Sequence, residues 1–156
     1  MMEYAIQLAS AFAASLGFAL LFHVRREKLL LAGLGGMLAW GVYLLAGMAS
    51  DQDVVRYFLA SVVLTVYAEV LARVVKCPAT VFLVTAAIPL VPGGGLYATM
   101  QLLLAGEYAA SSARGRETLL LALAIALGML FPTSLFYLTR RVRETRAPHK
   151  KEKRTI

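Results

Sequence analysis

The chain has one cysteine, two histidines and only nine carboxylates in 156 residues. One thiol cannot close an internal disulfide. Cys77 opens a hydrophobic run beside Arg73 and Lys76, where the role of a small buried apolar group is expected rather than that of a reactive thiol. His23 and His149 have no ligand-type neighbour at usable spacing, so no metal site is expected. No phosphate-binding P-loop, GxSxG elbow or HExxH occurs. The GLGG at Gly33–Gly36 is not a dinucleotide fingerprint, because no strand precedes it and it lies inside an apolar run. These absences argue against an enzyme and imply no cofactor. The opening MMEYAIQ contains Glu3 and no basic residue, which makes a poor secretory signal, and the first hydrophobic run is expected to stay in the mature protein.

Apolar residues are what the chain has in excess. They make up 60% of it, with a mean hydropathy of +0.70, against about 45–50% in soluble domains. They fall in long blocks: Tyr4–Phe22, Leu29–Ala49, Val54–Val75, a fourth starting at Cys77, and Thr118–Leu138. A helix needs roughly 20 such residues to cross about 30 Å of hydrocarbon. The expected fold is therefore all-α: a polytopic protein of the lipid bilayer with about five helices. Residues 1–138 form one transmembrane domain, and 139–156 a basic, disordered tail.

The net charge of +7 is concentrated at the C-terminus, where residues 139–156 carry eight Lys/Arg and two Glu. This is the pattern of a cytoplasmic flank with affinity for anionic lipid. No nucleic-acid motif accompanies it, so nucleic acid is not an expected partner. The 23–28 loop holds Arg25, Arg26 and Lys28, while the 50–53 loop holds Asp51 and Asp53 and no base. The positive-inside rule then places the N-terminus outside and the tail in the cytoplasm. An even number of crossings must link Lys76 to the tail. Leu96–Gly115 is therefore expected to be a return helix or an interfacial segment, with Arg114 and Arg116 outside. Arg56 is expected to snorkel to the outer interface.

Small residues recur at packing distance: Ala9, Ala13 and Gly17; Gly33, Gly35 and Gly36; Ala124, Gly128 and Pro132. Such faces let helices approach closely in lipid. The third run also carries a polar stripe, with Ser61, Thr65, Glu69 and Arg73 every four residues and Lys76 three further on. A carboxylate within a bilayer helix costs about 2.5–3.5 kcal/mol on insertion scales. Either Glu69 pairs with Arg73 near the cytoplasmic interface, or it serves proton coupling or meets a substrate ammonium.

The sharpest feature is KCPATVFLVTAAIPLVPGGGLYATM, Lys76–Met100. Pro78 suits a first helical turn. Pro89 and Pro92 lack N–H groups and deprive the carbonyls of Thr85 and Ile88 of helical partners. Gly93, Gly94 and Gly95 then favour irregular backbone. In hydrocarbon such backbone survives only when buried in protein or lining a wet cavity, and broken helices near the midplane build many transporter sites. Free carbonyls can hold an ammonium, and the N-terminus of the next half-helix can hold a carboxylate. The candidate path runs along Thr85, Ile88, Pro89, Pro92, Gly93, Gly94, Gly95, Tyr97 and Thr99. The plainer alternative is an extracellular turn after a short helix.

Two stretches, GFALLFHVRREKLLLAGLGGMLAW (Gly17–Trp40) and the segment Lys76–Met100 with its IPLVPGGGLY core, resemble the second half of the threonine/serine exporter family, which also occurs as a small stand-alone subunit. Where the family has Phe-Asn-Val-Pro, this chain has Phe22-His23-Val24-Arg25. The resemblance implies proton-driven export of threonine and serine, or of a small dicarboxylate. It also implies a second, larger membrane subunit. Five helices are few for alternating access, which points independently to that partner or to a homo-oligomer. A structural subunit that only stabilises a partner transporter is the rival reading.

Overall fold

The computed structural model describes residues 2–146. The chain forms α1 (Met2–Leu21), α2 (Arg26–Ala49), α3 (Asp53–Val75), α4 (Ala79–Ala87), a 3₁₀ turn (Ile88–Leu90), α5 (Gly93–Leu104) and α6 (Tyr108–Arg146). Among the described residues there is no strand. Helices α1, α2, α3 and α6 are each long and apolar enough to cross a membrane. Ala79–Leu90 and Gly93–Leu104 form a fifth candidate span bent by 51°. The all-α polytopic fold with a broken fourth run is thus the fold observed.

Small residues fill most of the interior, with Leu64, Phe82 and Leu90 among them, while most leucines face outward. Ala19, Ala32, Ala39, Ala60, Ala68 and Ala86 are fully buried, and Leu30, Leu45, Leu104, Leu127 and Leu130 are exposed. This inverts the soluble pattern. Lipid offers no drive to hide leucine, and small side chains bring backbones into contact. Two of the three small-residue faces are the packed ones: Gly33, Gly35 and Gly36 on α2, and Ala124, Gly128 and Pro132 on α6. On α1 the packed face is instead Ala11, Ser15 and Ala19. Ala9 and Ala13 are exposed, and a Cβ on Gly17 would meet nothing within 4 Å. Both α1 faces have the same spacing, and only contact with α2 decides between them.

Three helix ends close in the same way. His23 (φ 55°), Lys76 (φ 51°) and Gly106 (φ 79°) adopt left-handed backbone. Val24, Cys77 and Glu107 then donate N–H groups to the carbonyls of Ala19, Ala72 and Leu102 at 2.9, 3.0 and 3.0 Å. This is the Schellman closure. At Gly106 it turns α5 back into α6. The segment expected to be a return or interfacial element, Leu96–Gly115, is most of helix α5 plus the first eight residues of α6. The last helix starts at Tyr108 rather than Thr118, and continues through 139–146, where a disordered tail was expected to begin. The rest of that tail, 147–156, lies outside the described residues.

Helix α4 packs between α2 and α3, and α6 packs along α3. Gly128 lies against Phe58 and Ser61, and the Phe136 ring lies under Arg73, so α3 and α6 run in the same direction. The basic turn after α1 and the α3–α4 turn share one end of the bundle, where Val24, Leu29 and Cys77 pack against one buried cluster of Ala19, Ala32, Ala68 and Phe82. The acidic α2–α3 corner lies at the opposite end.

Candidate functional site

Pro89 prevents α4 from continuing, and the chain tightens into the 3₁₀ turn, in which Val91 N–H donates to Ile88 O at 3.2 Å. Val91 is extended. Pro92 then caps α5 without any side-chain hydrogen bond. Gly93 N–H reaches Val91 O (2.7 Å) and Leu96 N–H reaches Pro92 O (3.2 Å). The N–H groups of Gly94 and Gly95 belong to the orphan donors of a helical first turn. A Cβ at Gly93 or Gly94 would meet nothing within 4 Å, so packing does not require glycine at either position. Bareness there leaves the helix N-terminus open to the space beside it.

That space is a cavity of about 570 Å³. Pro89, Pro92 and Gly93–Gly95 form one side. Trp40 and Tyr57 form another, with Gln52 and Asp53 at the α2–α3 corner. Arg114, Glu117 and Thr118 of α6 close it. Asp53 is held in place: its Oδ1 accepts from Tyr43 Oη and from Arg56 Nη1, each at 3.2 Å. Arg56 also donates from Nε to Ser50 O (2.8 Å) and from Nη2 to Gly47 O (3.4 Å). It therefore does more than snorkel, because it caps the C-terminus of α2. Trp40 stacks on Tyr43 with centroids 4.8 Å apart and donates Nε1–H to Gln7 Oε1 at 3.2 Å. Arg114 pairs with Glu117 at 2.9 Å, so α6 brings both signs of charge to the cavity. Since the cavity reaches Gln52 and Asp53, the break lies toward that end of the bundle rather than at its middle.

Of the residues expected along the path, Pro89, Pro92, Gly93, Gly94 and Gly95 line the cavity. Thr85 does not: it is buried, and its hydroxyl donates to Val81 O at 2.9 Å. The Ile88 carbonyl, expected to be free, accepts from Val91. Tyr97 is exposed on α5. Thr99 lies in the α5–α6 seam, donating to Gly95 O (2.8 Å) and accepting from Ser111 Oγ (2.9 Å). Ser61 and Thr65 are fully buried, with hydroxyls bonded back to the carbonyls of Tyr57 and Ser61. Glu69 and Arg73 pair at 3.1 Å, but at the other end of α3, with buried Leu64, Ala68 and Phe82 between them and the break. The stripe and the break therefore do not share one cavity. Trp40, Gln52, Asp53, Tyr57, Arg114, Glu117 and Thr118 are the lining residues the sequence reading missed. The available signals were Trp40 and Tyr43 three apart on α2 and Arg114, Glu117 and Thr118 on one turn.

Apolar helices long enough to span a bilayer, one pair of them bent beside a cavity lined by both signs of charge, are the architecture of a multi-pass membrane protein. The family described as Threonine/Serine exporter, ThrE, matches residues 7–135, and the chain belongs to that family. No curated protein matches it, and neither does any solved structure.

Proposed function

We propose that the chain is the subunit of a small amino-acid exporter that carries part of the substrate path, and that threonine or serine passes the Pro89–Gly95 break. The observation that carries this is the 570 Å³ cavity, which offers Asp53 and Glu117 to an ammonium, and Arg114 and the start of α5 to a carboxylate. A dicarboxylate would meet two protein carboxylates there, which favours a zwitterion. The cavity is built from this chain's own helices, which favours a direct role over a purely structural one.

Proton coupling is part of this proposal, as the resemblance implies. Arg25, Arg26, Lys28, Arg73 and Lys76 gather at one end of the bundle and Asp51 and Asp53 at the other, which supports a cytoplasmic basic end and an outer N-terminus in a bacterial inner membrane. A larger subunit of the same family, or a second copy, completes the path: α5 begins at the cavity with Gly93–Gly95 and leaves Leu96, Met100 and Leu104 uncovered. The test is efflux from cells loaded with threonine, serine or succinate, with and without this chain and its partner. Faster loss of threonine or serine is expected. No change for any of the three overturns the proposal.

A further inference from the structure

We infer that a second cavity, at the α3–α4 turn, is where the chain first binds its zwitterionic α-amino acid, from the cytoplasmic side; this rests on the export reading above. The cavity measures about 650 Å³ and is lined by Glu69, Arg73, Lys76 and Cys77, with Ala72 and Ala79 among its walls. Buried Leu64, Phe82 and Leu90 separate it from the outer cavity, so the two open at opposite ends of one closed bundle.

Its charges are arranged for a dipolar ligand. Arg73 is fixed by three contacts: Nη2 to Glu69 Oε2 at 3.1 Å, Nη1 to Glu69 O at 2.8 Å, and its guanidinium 4.3 Å from the Phe136 ring centre. It acts as a positioning residue, orienting a Glu69 side chain that is only 19% exposed. The second oxygen of Glu69 has no hydrogen-bond donor among the described residues and is available to an ammonium. Lys76 is exposed, with no ion-pair partner among the described residues. Its backbone is left-handed (φ 51°), a position that favours glycine. The turn thus holds a cation where conformation alone would select against a side chain. An α-amino acid places its ammonium on Glu69 and its carboxylate on Lys76. The methyl groups of Ala72 and Ala79 leave room for a short side chain.

Cys77, the only thiol, lies in this cavity and is partly exposed, so its modification rate reports occupancy. The experiment is maleimide labelling of the full chain in lipid nanodiscs, with threonine, with succinate, or with neither. Threonine is expected to slow labelling several-fold and saturably, and succinate to have no effect. Lys76→Asn keeps the left-handed turn, which Asn tolerates, and removes the charge. It is expected to raise the half-protecting threonine concentration about tenfold or more, as the loss of one charge-assisted contact does. Unchanged labelling at threonine concentrations that saturate export overturns this site and leaves the export reading standing. Equal protection by succinate, or protection unaltered in Lys76→Asn, overturns it as well. Protection without export supports the site and overturns the export reading.

Discussion

Gly95 packs so closely on Thr118 that a Cβ added to it would lie 2.5 Å from Thr118 Oγ1. That hydroxyl already donates to Arg114 O at 2.8 Å, and a β-branched side chain has little freedom to turn away. Gly95→Ala is therefore expected to push α5 off α6, at a cost of about 1–3 kcal/mol for overpacking, and to reduce export. Gly93→Ala fits sterically and is expected to leave the apparent melting temperature in detergent unchanged while weakening threonine binding. Equal melting temperatures for the two variants would count against this account of the hairpin.

Much of the fold was legible because its cause is local. A run of about 20 apolar residues means a span wherever it occurs, and Pro89 breaks a helix whatever surrounds it. The start of α6 was not legible, since hydropathy cannot see a helix through Ala109, Ser112, Arg114 and Arg116, which lie beyond its apolar part. The lining of the cavity at the break was hidden with it. Arg114, Glu117 and Thr118 reach the break only because Gly106 folds the chain back, and a contact between residues 95 and 118 leaves no periodic trace. Ser61 and Thr65 misled for the converse reason. Their spacing was correct, but in an apolar core a hydroxyl bonds to its own helix.

The cavity at the break makes a prediction about charge. Asp53→Asn and Arg114→Gln are each expected to raise the threonine concentration for half-maximal export about tenfold, the loss of one charge-assisted contact. Asp51, which is fully exposed and reaches Arg56 only at 3.7 Å, lies outside the cavity, and Asp51→Asn is expected to have a much smaller effect than either. Efflux rates measured over a range of internal threonine separate the three variants.

Helix packing makes another. A Cβ on Gly128 would lie 2.7 Å from the Phe58 carbonyl oxygen and 2.8 Å from Ser61 Cβ. Backbone cannot step aside as a side chain can. Gly128→Ala is expected to separate α3 from α6 and to cost about 1–3 kcal/mol or more. Gly17→Ala meets open space and is expected to be neutral. Expression level and thermal stability in detergent check both, and a stable Gly128→Ala protein would contradict the close α3–α6 contact.

The α2–α3 corner depends on the shape of one guanidinium. Arg56 spans Gly47 O, Ser50 O and Asp53 Oδ1 with three different nitrogens, and its side chain is only 21% exposed. A lysine ammonium is a point charge without that planar fork, so Arg56→Lys preserves charge but not the geometry. Each hydrogen bond from a charged group contributes about 1.5–3 kcal/mol, and the lysine is expected to recover fewer of them. Arg56→Lys should therefore fall between wild type and Arg56→Met in apparent melting temperature, by about 2–4 °C per kcal/mol lost. Because Asp53 borders the cavity and is held by the same guanidinium, both variants should also weaken threonine export. Arg116, exposed and without an ion pair among the described residues, is the matched control, and Arg116→Met should change neither quantity. If Arg56→Lys equals wild type in both, then charge alone holds the corner and the carbonyl contacts do not.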